Sequence, residues 1–172
     1  RYSFDHGAQF FTAQTTEFAR QLERWLAAGV VAPWSGRFGS IADRQFIPES
    51  PPHPRFVGVP RMSALTRHLS AGLRAEVATR IAAVERSGDR WILRSTAGAE
   101  FGPFSAVIST APGPQTVPLL APHSPSLAAR ADAAKMLPCF CLMLSFSRPL
   151  EVPFDAAQVT TPPLGWIARN TS

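Results

Sequence analysis

Apolar positions along this chain change their period several times, and each change marks a predicted element. In "TTEFARQLERWLAAG", Phe18, Leu22, Trp25 and Leu26 recur at i, i+4, i+7 and i+8, the single stripe of an amphipathic helix. Thr15 or Thr16 is placed to cap it, Glu17 stands in its first turn, and Gly29 supplies a left-handed stop. "VVAPWSGRFG" and "RQFIPESPPHPRFVG" read as short strands joined by turns, with the proline-rich "PESPPHP" as a surface loop. A second helix is expected from Pro60 through "RMSALTRHLSAG", with Met62, Leu65 and Leu69 facing inward and Gly72 at its end.

The pattern then turns to period two. "AEVATRI" sets Val77, Thr79 and Ile81 on one face, and the following residues read as a three-stranded meander over 82–104. Its turns fall at Ser87-Gly88-Asp89 and Ala97-Gly98. "SAVISTAP" (105–112) is continuously apolar, as a parallel-type strand buried on both faces would be. Short helices over "GPQTVPLL" and "SLAARADAAKML", a strand over "CFCLMLSFS" (139–147) and a last strand from Trp166 complete the reading.

Composition adds exclusions. The chain has 172 residues, 45% hydrophobic positions and a formal net charge of +5, enough to bury a core in one domain or in a domain and part of another. Its basic residues are scattered over several elements, without the run or stripe of a nucleic-acid binder. No apolar run reaches the ~18 residues of a membrane helix, so neither nucleic acid nor membrane is expected as a partner. The two cysteines, Cys139 and Cys141, share a strand face too closely for an ordinary disulfide. They read as buried thiols in a reducing, cytoplasmic setting, and no metal-ligand spacing is present. The first residue is Arg1 and the chain stops within the pattern of its last strand, so a piece of a longer protein is expected.

One short stretch, "FDHGAQFFTA" (4–13), interrupts apolar sequence with small and polar residues, which suits a backbone lying close to something flat. This stretch resembles the "D-x-G-A-Q-[YF]-F-T" segment of FAD-dependent oxidoreductases of the amine oxidase superfamily, in their renalase-like bacterial branch. "PLGWIARNTS" is similar to that branch's "W-I-x-R-N-[ST]-S" segment, and the long stretch from "VPRMSALTRHL" to "GPQTVPLL" resembles it in order. The resemblance implies an α+β protein: a mixed and antiparallel sheet in a substrate domain, plus part of a Rossmann-like FAD/NAD(P)-binding α/β domain with a meander crossover. It places the start of the substrate domain and a flavin-side loop at 1–60, the middle of the FAD-binding domain at 61–112, and more of the substrate domain at 113–172. The chain departs from the family in having no G-x-G-x-x-G, the turn that receives a dinucleotide pyrophosphate. The family's C-terminal flavin segment is also expected beyond Ser172.

Carried over residue by residue, the resemblance puts Gly7, Ala8 and Gln9 beside the isoalloxazine ring. It puts the backbone of Ile81 on the adenine edge, and Thr110, Ala111 and Pro112 near the pyrophosphate and ribitol. Arg61, Met62 and Ser63 match a helix start on the flavin or substrate side, with Arg61 where the family often has glycine. His6 is the candidate proton shuttle, with a structural hydrogen bond as the alternative, and Trp166 and Arg169 are candidates for the substrate cavity. The implied activity is hydride transfer from an amine or a dihydronicotinamide (NAD(P)H-type) substrate to FAD, with reoxidation by oxygen. The competing reading is a non-enzymatic binding or oligomerisation module.

Overall fold

The helix that the first apolar stripe predicts is α1 (Thr16–Ala27). Thr15 caps it, its hydroxyl oxygen accepting from Phe18 N at 3.2 Å, and Gly29 leaves it with φ +68°. Leu22 and Trp25 on its inner face are buried with Val31, and Phe11, Val30, Phe56 and Leu65 pack around them. The structure is a computed structural model that describes Phe4 and residues 7–169. Its contacts divide the chain into two units, Arg1–Leu73 with Cys141–Ser172, and Arg74–Phe140.

Four short strands follow α1: β1 (Val31–Pro33), β2 (Phe38–Ala42), β3 (Gln45–Pro48) and β4 (Phe56–Gly58). β1 pairs antiparallel with β4, and Phe11 bridges to Phe56 through two 2.9 Å backbone hydrogen bonds. β2 and β3 form a hairpin whose two loop residues, Asp43 and Arg44, both have positive φ, the geometry that matches strand twist. The proline-rich loop joins β3 to β4 as its composition predicts. The second helix, α2 (Ser63–Ser70), starts three residues later than expected. The chain needs Gly58 to enter it, because a Cβ there would meet Arg61 O at 2.5 Å.

The second unit holds the predicted meander, β5 (Ile81–Ser87), β6 (Arg90–Ser95) and β7 (Glu100–Phe104), antiparallel in that order. Gly88 and Gly98 take positive φ in its two turns. Beside it stand α3 (Gly113–Leu120) and α4 (Pro125–Asp132), packed so closely that a Cβ on Gly113 would meet Ala131 O at 2.4 Å. The first unit then resumes with β8 (Ala156–Val159) and β9 (Trp166–Ala168). β8 lies parallel to β2 and antiparallel to β9, giving a mixed four-stranded sheet in the order β3-β2-β8-β9. Ala156 and Ala157 are wholly buried in it. The α+β class with mixed and antiparallel sheets is therefore as expected.

Three expected strands are corrected. Residues 75–80 do not join the meander, because Ala78 has φ +54° and leaves the extended region. Residues 105–112 and 139–147 are apolar enough for strands, but neither pairs with a neighbouring strand among the described residues. Without a ladder their side chains stay outside: Ile108 is 87% and Phe140 95% exposed. Cys139 and Cys141 are accordingly free and exposed, not buried. The helix expected over "SLAARADAAKML" ends at Asp132.

Candidate functional site

Register brings three charged residues to one end of the four-stranded sheet. Phe38 pairs with Ala156, and Ala156 pairs with Ala168. The residues just outside those pairs are Arg37, Asp155 and Arg169, so adjacent strands deliver them side by side. Backbone bonds fix the frame, with Asp155 N donating to Arg37 O at 2.9 Å and Arg169 N to Asp155 O at 2.8 Å. Arg37 then donates to the Asp155 carboxylate from its backbone N at 2.8 Å, from Nε at 3.2 Å and from Nη2 at 3.4 Å. Arg169 Nη1 adds a fourth bond at 3.2 Å. The hydrogen bonds from Arg37 hold the Asp155 carboxyl below the usual carboxylate range, against the opposing effect of burial, and the Arg169 charge assists. A cavity of about 530 Å³ opens beside this cluster, lined by Arg37, Arg169 and the segment Pro149–Pro153.

A second constellation includes Trp166 of β9, the strand that Arg169 follows. Trp166 Nε1 donates to Gln9 Oε1 at 2.6 Å, joining side chains 157 positions apart. Phe10 packs on Trp166 at 5.6 Å and on Trp34 at 5.8 Å between ring centroids, and Trp34 meets Phe38 edge to face at 4.9 Å. Arg55 lies over both phenyl rings, 4.4 Å from the Phe38 centroid and 5.3 Å from that of Phe10, as cation–π pairing favours. Glu49 orients it through two bonds, from Nη1 at 2.7 Å and Nη2 at 3.2 Å. Those bonds pull the Glu49 pKa down to about 2 despite desolvation, with help from His53. Burial leaves Arg55 Nε without a hydrogen-bond partner among the described residues.

The sequence-predicted residues fall in both units. In the first, Gly7 and Ala8 are exposed and Gln9 is half-buried. A Cβ on Gly7 would meet no atom of the described residues within 4 Å, so packing against them does not demand its glycine. Met62 precedes α2, where its sulfur accepts from Gly58 N at 3.1 Å, and Arg61 is exposed beside it. His6 lies outside the described residues. In the second unit Ile81 opens the edge strand β5, paired with Ser95. Thr110, Ala111 and Pro112 are exposed and lead into α3. The Thr116 hydroxyl donates to Ala111 O at 2.9 Å, and Thr116 Oγ1 also meets Ser109 Oγ at 2.7 Å.

Gln9, Trp166 and Arg169 are thus gathered on or beside one strand. Sequence reading missed Arg37, Asp155, Glu49 and Arg55, because nothing in their local pattern distinguishes them from solvated surface charges. Only strand register and ring contacts single them out. No cluster of three or more His, Cys, Asp or Glu side chains suited to a metal occurs among the described residues. No protein-family model matches the chain.

Proposed function

We propose that this chain is part of a flavin-dependent oxidoreductase, in which an amine or a dihydronicotinamide gives a hydride to FAD and oxygen is the final electron acceptor. The observation that carries the reading is the Gln9–Trp166 hydrogen bond. It joins the two segments, at opposite ends of the sequence, whose residues resemble the flavoprotein family. The loop at Gly7–Gln9 fits a flat ring: it is poor in side chains, and the space beyond Gly7 holds no atom of the described residues within 4 Å. Its part would be to offer backbone at close range, with Gln9 held by Trp166 and Phe10 backed by Trp34 and Arg55. FAD supplies the redox chemistry when bound; the chain's own residues position the donor and exclude water. On this reading the meander and the Thr110–Pro112 loop before α3 belong to the stretch that the resemblance assigns to an FAD-binding α/β domain.

Exposed surface also supports a role within a larger assembly of chain. The molecule exposes 13347 Å², whereas two independently folded bodies of these sizes would expose roughly 10,000 Å². Unpaired apolar segments such as Leu142–Phe146 account for part of the difference. They also favour the second reading, a non-enzymatic module that works through association. No helix among the described residues is long and apolar enough to cross a membrane.

Purification of the product of the complete reading frame separates the two readings. A yellow protein with bound FAD, bleached anaerobically by an amine or a dihydronicotinamide, supports the oxidoreductase. A colourless product that fails to take up FAD overturns it and leaves the module.

A further inference from the structure

We propose that the cavity at the Arg37–Asp155–Arg169 end of the sheet binds a small organic monocarboxylate with an apolar body. The inference is independent of the flavin reading, since it rests on charge, donors and shape alone. Two guanidiniums share one carboxylate there, so the cluster keeps one formal positive charge. Each guanidinium has five N–H donors. Arg37 commits Nε and one Nη2 hydrogen to Asp155, and Arg169 commits one from Nη1. Each guanidinium keeps further N–H groups in its own plane, and both residues line the cavity, where such donors suit a second carboxylate.

The cluster is also prearranged. Two backbone hydrogen bonds and the strand register hold all three residues before any ligand arrives, which lowers the ordering cost of binding. Asp155 stays ionised near neutral pH, because its pKa is lowered chiefly by Arg37. It therefore remains a fixed bridge that cannot give up its place by protonation.

The rest of the cavity selects what the anion may carry. Leu150, Val152 and Pro153 contribute an apolar wall to a concavity of about 530 Å³ that is open to solvent, room for a small anion. Glu151 is in the lining as well. Its negative charge brings the formal charge of the site to zero, so an anion is held there by the directed guanidinium N–H donors rather than by net charge, and a dianion meets more repulsion from Glu151 and Asp155 than a monocarboxylate does.

Titration of the 172-residue chain, followed by backbone amide NMR, tests the assignment with three probes: 4-methylpentanoate, 3-methylbutan-1-amine and inorganic phosphate. The expected result is saturable shifts at residues 37, 150–152 and 169 with 4-methylpentanoate. Phosphate should bind at least tenfold more weakly and the amine not at all. Arg169→Met should weaken 4-methylpentanoate at least tenfold. Leu150→Trp, which fills the apolar wall and leaves the ion cluster intact, should do the same and guards against loss of fold in the arginine variant. Absence of saturable shifts, phosphate binding as tight as 4-methylpentanoate, or affinity unchanged in both variants would overturn the proposal.

Discussion

Replacing Glu49 by glutamine removes the carboxylate that orients Arg55 over Phe38 and Phe10, and the consequence should depend on pH in a defined way. The Glu49 pKa falls from 4.5 to about 2 on folding. A depressed folded-state pKa contributes stability that is fully present above the unfolded value and lost as pH falls through the folded one. The window here runs from about pH 4.5 down to about pH 2. A drop of that size corresponds to at most about 3.4 kcal/mol at 1.36 kcal/mol for each pKa step. The Glu49 side chain keeps 20% and Arg55 13% of their surface exposed, so solvent screening reduces the expected value to about 1–2 kcal/mol. By pH 3 roughly three-fifths of the contribution should already be gone. Urea unfolding of wild-type and Glu49→Gln protein at pH 7, 4.5 and 3 measures this directly. The variant should be less stable by about 1–2 kcal/mol at pH 7, and the gap should narrow by more than half at pH 3. A gap of equal size at both pH values, or none at pH 7, would refute the assignment of the ion pair as the cause.

Two further substitutions probe the sheet and the candidate site. Gly39→Ala places a Cβ 2.1 Å from Ile47 O and 2.6 Å from the Phe46 ring; overpacking the β2–β3 pair in this way should cost about 2 kcal/mol or more, read as a lowered urea midpoint. A double-mutant cycle of Gln9→Ala and Trp166→Phe should return a coupling of about 1 kcal/mol in unfolding free energy; strictly additive effects would mean the 2.6 Å hydrogen bond does not link the two segments.

Local chemistry was enough to read much of this protein from its sequence. Thr15 and Gly29 delimit α1 because a cap and a left-handed stop act within one turn of chain. Gly88 and Gly98 set the meander turns in the same way. The segments 105–112 and 139–147 mark where that legibility ended. Their apolar runs show that they could be strands, but a strand also needs a neighbour, and no property of the run itself specifies one. The sheet instead recruits Ala156–Val159 as the parallel partner of β2, a modest stretch that alternation alone does not single out.

The candidate site divides along the same line. Gly7–Gln9 and Trp166 were visible as unusual stretches of sequence, each on its own. Their junction, and the meeting of Arg37 and Asp155 across 118 positions, came only with the tertiary structure. Capping and turn preferences are decided by atoms a few bonds apart, and the sequence carries them in full. Strand register is decided by hydrogen bonds between segments that the chain separates by most of its length, and it is register that builds the charged cluster.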